Sequence, residues 1–431
     1  MKAIVAKRVE TGIADLEEIN HLATSAGYEV VGKVTQTRQE DSTFGLGEGK
    51  IREIAALVAD TNADTVIVDN RLGPYQTYNI GLELPDDVSV IDRFRLILEI
   101  FAQRAHSRKA QLQVELAELR YELPRASAKA SLAQRDEHPG FMGLGEYGET
   151  RERDIKARIS RVREELDGMA TDDASWRKDR REAGFELVAL AGYTNAGKST
   201  LLRRLATDLD VDENESLHPD LDPTAESQDQ LFTTLGTTTR RADVDGRNVL
   251  VTDTVGFISN LPHWLVESFR STLEQVYHAD LVLLVVDSSD PIDVMREKIV
   301  TSHDTLYDRN EAPILTVFNK VDTITDAELE ARLDALSDLA PRAIPVSAET
   351  GNGTDTLRER IHDTLPTLTE ERLLLPLTED TMSVVSWLHD HASVHEVDYM
   401  EDEVLIEFAG HEPIIAKSRE KTSELTPAQH Q

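Results

Sequence analysis

The sequence contains no cysteine, which excludes disulfide bonds and thiolate metal sites. Long apolar runs are also missing. Leu281–Val286 is one of the longest, and a membrane-spanning helix needs about 20 such residues. An export leader would need an apolar stretch of about 7–15 residues near the start; Ile4–Ala6 reads instead as a strand. A cytosolic protein is expected. Basic residues are scarce, 46 against 80 acidic, for a net charge of −34. A surface this acidic suits a salt-rich cytosol, where the Debye length is about 3 Å at 1 M, so a halophilic source is the expectation. With 431 residues the chain is too long for one core and points to two to four domains.

The pattern divides the chain. Residues 1–92 alternate strand-like segments (Ile4–Ala6, Glu29–Val34, Thr65–Val68) with helical ones near 14–25 and 50–60, which predicts an α/β domain with a largely parallel sheet. The loop Phe44–Lys50 is glycine punctuation before a helix. Residues 93–183 read as an arm. Apolar residues at Leu98, Phe101, Ala105, Leu112, Leu116, Leu119 and Leu123 form one stripe, predicting a helix of roughly 45 Å at 1.5 Å per residue that Pro124 ends. A second stripe, Ile155, Ile159, Val162, Leu166 and Met169, predicts the returning helix of an antiparallel hairpin. Between Arg93 and Arg181 there are 19 basic and 16 acidic residues, a net of +3, which leaves −37 for the rest. That contrast marks the arm as the face for a polyanion. Residues 184–369 hold a nucleotide domain, with an acidic, aromatic-poor insertion at about 208–228 expected to be disordered. Residues 370–431 predict a small α+β domain around a helical pattern at Met382–His389 and a strand at Val404–Phe408, frayed after Lys417.

Within the nucleotide domain the apolar strand Leu187–Ala191 runs into Gly192-Tyr193-Thr194-Asn195-Ala196-Gly197-Lys198-Ser199, with Thr200 opening a helical segment. This is G-x-x-x-x-G-K-[ST] in the strand–loop–helix context its chemistry requires. Glycines let backbone N–H groups curl around a β-phosphate at a helix N-terminus. Lys198 can bridge β- and γ-phosphates, and the Ser199 hydroxyl can ligate magnesium. A hairpin turned by Asp245-Gly246 ends in Asp253-Thr254-Val255-Gly256, about 55 residues after Lys198. Asp253 can hold the metal's water shell, and Gly256 can offer an N–H to a γ-phosphate. Asn319-Lys320-Val321-Asp322 follows the strand Ile314–Phe318. The Asp322 carboxylate can accept from N1–H and the 2-amino group of guanine, a discrimination against adenine of order about 10⁴. Lys320 can lay its stem along the base, and Ser347-Ala348 can offer an N–H to guanine O6. The threonine that senses γ-phosphate lies among Thr233, Thr234, Thr237, Thr238 and Thr239, in a stretch that also holds Phe232, Leu235 and Gly236. Where many GTPases carry a glutamine that orients the attacking water, this chain has Phe257. Slow intrinsic hydrolysis of GTP, completed by a partner, is the expectation.

These stretches, with Asp229–Leu235, Phe257-Ile258, Leu261-Pro262-His263 and Phe269–Glu274, resemble the HflX family of ribosome-associated GTPases. In the arm, Asp92-Arg93-Phe94, Ile100–Ala105 and Leu112–Ala117 are similar to that family's helical linker. The resemblance covers nearly the whole chain. It implies an α/β fold with a P-loop GTPase domain, and an N-terminal α/β domain with a long antiparallel helical arm that enters the large ribosomal subunit. It also implies GTP hydrolysis stimulated by the ribosome, and separation of subunits or rescue of stalled ribosomes. A ribosome-assembly or RNA-processing GTPase and a non-hydrolysing GTP-dependent scaffold are the alternatives. Lys198, Thr234 and Gly256 become the expected catalytic set. Magnesium would sit on Ser199 and Thr234, with Asp253 acting through water. A monomer binding GTP or GDP and rRNA, without a membrane span, completes the expectation.

Overall fold

The computed structural model describes residues 1–136, 144–206, 238–254, 256–257, 265, 276–307 and 312–423. Contacts divide the chain into two compact units, one mainly Met1–Met169 and the other mainly Ala170–Ser227, Gly236–Leu261 and Arg270–Gln431. The acidic insertion, residues 137–143 between the arm's two apolar stripes, and the segment 232–236 lie outside the described residues.

The first unit contains a parallel sheet of β1 (Lys2–Val9), β2 (Glu29–Thr37), β3 (Thr65–Val68) and β4 (Ser89–Asp92) in the order β2-β1-β3-β4. Helices α1 (Glu17–Ser25), α2 (Glu48–Thr61), α3 (Pro74–Leu82) and α4 (Arg93–Arg104) accompany it. Its core joins Ile4, Val34, Ile51, Ile54, Val66 and Ile80. Beyond it run α5 (Arg108–Asp136) and α6 (Leu144–Glu182). They are antiparallel: Arg108 reaches Glu165 at 2.7 Å, Arg158 reaches Glu115 at 2.9 Å and Ser127 reaches Glu152 at 2.8 Å. Leu112, Leu116, Ala126, Ile155, Ile159 and Val162 fill the seam.

Two expectations about the arm are corrected. The stripe from Leu98 to Leu123 is not one helix, because the chain breaks between Arg104 and Arg108. The Ser107 hydroxyl accepts from the Ala110 N–H at 3.1 Å and restarts the helix. The apolar spacing stays in phase across the break, so periodicity cannot detect it. Nor does Pro124 end a helix; it lies inside α5. An interior proline costs about 3 kcal/mol, and the next residue, Arg125, is tied down both within the helix and beyond it. The Arg125 guanidinium lies 3.4 Å from the Tyr121 ring centroid and donates to the carbonyls of Tyr121 and Leu72 and to Asp92, each at 3.1 Å.

In the second unit, six strands take the order β10-β9-β8-β5-β7-β6. They are β5 (Glu186–Gly192), β6 (Thr238–Val244), β7 (Arg247–Asp253), β8 (Leu281–Asp287), β9 (Ile314–Asn319) and β10 (Ile344–Pro345). Only the β6–β7 pair is antiparallel, the hairpin expected at Asp245-Gly246. Helices α7 (Lys198–Leu205), α8 (Ile292–Tyr307), α9 (Asp326–Ala335) and α10 (Thr354–Thr364) accompany the sheet. β5 is buried along its whole length, as the unbroken apolar run of a central parallel strand requires.

The C-terminal part is an antiparallel sheet in the order β11-β13-β12, from β11 (Thr369–Pro376), β12 (Ser393–Tyr399) and β13 (Glu403–Gly410). It packs with α11 (Glu379–His391) and α12 (Glu412–Thr422). The expected fraying after Lys417 is corrected for the residues up to Thr422, since α12 runs on to that point, and residues 424–431 lie outside the described residues. Ser418 and Thr422 are buried there, and their hydroxyls donate to the carbonyls of Ile415 and Ser418 at 2.8 and 2.9 Å. Local back-bonding lets polar residues sit on a buried face, which hides the helix from a reading of hydrophobicity.

Candidate functional site

Strand β5 delivers the loop Tyr193–Gly197 to the N-terminus of α7. Gly192 takes φ +140°, and a Cβ there would lie 2.2 Å from the Val285 carbonyl oxygen on β8. Only glycine fits that close approach. Lys198 is 7% exposed, and its ammonium donates to the Gly192 and Tyr193 carbonyls at 3.0 and 2.8 Å. Burial pushes it down to about 8, with the Asp253 carboxylate opposing the shift.

Strand β7 brings Asp253 beside this loop. The Ser199 hydroxyl donates to Asp253 Oδ2 at 2.5 Å, and Asp253 is fully buried. Oδ1 of the same carboxylate accepts from the Thr254 N–H at 2.8 Å, and the Thr254 hydroxyl donates to the Leu190 carbonyl at 2.7 Å. Gly256 passes so near that a Cβ would meet Thr194 Cγ2 at 2.7 Å and Lys198 Nζ at 2.9 Å. Phe257, 4% exposed, pairs with the phosphate loop through its backbone: its N–H donates to the Gly192 carbonyl at 2.9 Å, and its carbonyl accepts from the Thr194 N–H at 3.0 Å. The phosphate loop, Ser199 and Thr200 in the first turn of α7, and Asp253, Thr254 and Gly256 at and just after the end of β7 therefore cluster at the ends of two neighbouring strands. Val255, Phe232, Thr233, Thr234, Leu235 and Gly236 lie outside the described residues.

The base-reading candidates follow β9. Asn319 is buried; its Nδ2 donates to the Ala196 carbonyl at 2.8 Å, and its Oδ1 accepts from the Ala348 N–H at 2.9 Å. It braces the phosphate loop against the Ser347–Ala348 turn. The Ser347 N–H is donated to the Asn352 carbonyl at 2.8 Å. Lys320 takes φ +64°, and its ammonium donates to Asp287 Oδ2 at 2.7 Å. Val321 and Asp322 open a short 3-10 turn, with Asp322 exposed. Sequence reasoning missed Asp287. Its signal is an acidic residue directly after the apolar run Leu281–Val286, one strand away from β9.

A phosphate loop between a parallel strand and a helix, an adjoining strand that ends in aspartate, and an Asn-Lys-x-Asp loop at the end of β9 in the same sheet are the parts of a P-loop GTPase. Comparison with known proteins agrees. Residues 14–102 and 104–180 match the families described as GTP-binding GTPase N-terminal and GTP-binding GTPase Middle Region. Residues 187–320 match 50S ribosome-binding GTPase, and 335–410 match HflX C-terminal domain. GTPase HflX of Thermococcus kodakarensis is 40% identical over 397 residues, 89% of this chain and 86% of that one. Its counterpart in Methanocaldococcus jannaschii is 39% identical, covering 90% of each. The crystal structure of the SsGBP–GDP complex is 25% identical, with a TM-score of 0.49, and covers 84% of this chain and 98% of that one. The chain belongs to the HflX family of GTPases and is a GTP-hydrolysing enzyme.

Proposed function

We propose that this GTPase acts on the large ribosomal subunit, binding rRNA through the arm and using GTP to split subunits or rescue stalled ones. The observation that carries the reading is the contrast in charge between the arm, at +3, and the remainder, at −37. On α6 the exposed residues include Arg151, Arg153, Lys156, Arg161 and Arg163. Interspersed with the exposed Asp154, Glu164, Glu165 and Asp167, these cations give the arm a balance of charge that the acidic remainder lacks, which suits contact with a phosphate backbone. The family matched by residues 187–320 carries the description 50S ribosome-binding GTPase, which supports the same partner.

At the nucleotide, Lys198 and the N–H groups of the Gly192–Ser199 loop would hold the phosphates, and Gly256 would meet the γ-phosphate. Asp322 would read guanine, with Lys320 along the base and the Ser347–Ala348 turn beside it. The Ser199 hydroxyl and the buried Asp253 carboxylate, 2.5 Å apart, offer hard oxygen donors that fit magnesium. Ser199 and Thr234 would ligate the ion directly, and Asp253 through water. When bound, such an ion neutralises charge on the phosphate oxygens. Phe257 supplies no group to orient water, so the isolated protein turns over slowly and the ribosome completes the site.

The test is GTP turnover with and without purified large subunits at matched salt. The wild type should be stimulated at least about tenfold, a barrier lowered by about 1.4 kcal/mol. Reversing the arm's charge with Arg153→Glu, Lys156→Glu and Arg163→Glu should abolish stimulation and leave GTP affinity intact. Equal stimulation of both proteins would clear the arm, and stimulation of neither would remove the ribosome. Preferential stimulation by immature particles would move the role to assembly.

A further inference from the structure

β5 and β7 begin where the C-terminal sheet meets the GTPase sheet. Glu186 opens β5 and Arg247 opens β7, with side chains 3% and 6% exposed. Arg247 Nε donates to Glu186 Oε2 at 3.0 Å, and its Nη2 pairs with Oε1. The same guanidinium donates to the carbonyls of His362 at 3.3 Å and Pro366 at 2.6 Å, so it ties together β5, β7, the end of α10 and the connection to β11.

The C-terminal part grips the same spot. His411, at the start of α12, places Nε2 3.5 Å from Glu186 Oε1. The Ser393 hydroxyl donates to the Gly246 carbonyl at 2.7 Å, holding the β6–β7 turn. Gly184, at φ +82°, runs so close to α11 that a Cβ would lie 2.2 Å from the His391 carbonyl oxygen. Arg180 of α6, ion-paired with Asp280 at 3.3 Å, and Asp280 itself, just ahead of β8, are the other charges that act on Glu186. His391 lines the same cleft.

We propose that Glu186 and His411 form a proton-operated latch that holds the C-terminal domain on the GTPase sheet, tightening on acidification and loosening as pH rises. The physical basis is a carboxylate that docking removes from water. Burial is the largest influence on Glu186 and pushes it up from 4.5 to about 7; the Arg247 guanidinium opposes the rise and Asp280 adds to it. His411 sits against the same carboxylate, its Nε2 on Oε1. Undocking would rehydrate the carboxylate and return it toward its ordinary range. The docked form therefore holds a proton that the separated form releases. Docking is strongest at the acid end of the window and weakens as pH rises through about 7.

The absence of native cysteine makes the full chain suited to a dye pair. Cysteines introduced as Glu359→Cys on α10 and Asp398→Cys on β12, both exposed sites, would report separation by energy transfer, with GTP binding checked in each variant. Between pH 5.5 and 8.5 the open-to-closed ratio should rise by up to about tenfold per pH unit below pH 7 and then level off. Glu186→Gln should stay closed and flat across that range. His411→Gln should be more open than the wild type at pH 6. A flat wild-type profile, an unchanged slope in Glu186→Gln, or a His411→Gln profile that overlays the wild type would each overturn the latch.

Discussion

Asn319 illustrates how much a single side chain can do in this site. Its carboxamide satisfies the buried Ala196 carbonyl and the Ala348 N–H. Leaving two such groups unpaired costs about 1–3 kcal/mol each. Asn319→Ala should therefore lower GTP affinity and the thermal midpoint together, measured by nucleotide titration and calorimetry; a loss of affinity with an unchanged midpoint would return Asn319 to a purely ligand-reading role. Asp322 makes the contrasting case, since it is exposed and its change should spare stability. Asp322→Asn should shift preference from guanine to xanthine nucleotides, because the donor–acceptor sense of the contact reverses. Competition binding with GDP and XDP checks this, and unchanged guanine preference would show that the base is read elsewhere.

At the scale of elements, Asp92 joins three of them. Its carboxylate caps α4 through the Arg95 N–H at 2.9 Å, accepts from the Tyr121 hydroxyl at 2.9 Å and meets Arg125 of α5 at 3.1 Å. Burial and the Asp92 charge both raise the Tyr121 phenol, so it stays a donor. Breaking one partner of a buried ion pair costs about 3–5 kcal/mol. Asp92→Ala should destabilise the first unit by that order, read from denaturant unfolding; a change below about 1 kcal/mol would mean that α5 crosses Pro124 without this support. Strand and helix positions around the nucleotide were legible because buried parallel strands and a P-loop helix announce themselves in contiguous residues. The break before α5 and the last turn of α12 were not, because they turn on hydroxyl bonds to nearby backbone at Ser107, Ser418 and Thr422 that apolar spacing does not register; the helix through Pro124 was not, because Arg125 finds its partners at Leu72 and Asp92.

The whole molecule carries −34 charges, and self-repulsion at that density opposes compactness. Salt screens it, with a Debye length that falls from about 10 Å at 0.1 M to about 3 Å at 1 M. The thermal midpoint should rise steadily as KCl increases from 0.1 to 2 M, followed by circular dichroism. A midpoint independent of salt would detach the acidic surface from salt adaptation. Among the described residues no helix is long and apolar enough to cross a membrane. What the sequence determined by itself is the chemistry that sits in short contiguous stretches: the phosphate loop at Gly192–Ser199, Asp253 at a strand end, the Asn319–Asp322 loop, and the charge contrast of the arm. In each, the spacing along the chain already implies the geometry, because strand, turn and helix dictate where neighbouring backbone groups point. Tertiary structure alone decided the rest. It set Asp287 against Lys320, brought Asn319 between Ala196 and Ala348, closed Val285 over Gly192, and buried Glu186 beneath Arg247 and His411. Those partners lie tens to hundreds of residues apart in the chain, and only the folded sheet brings them within hydrogen-bonding distance.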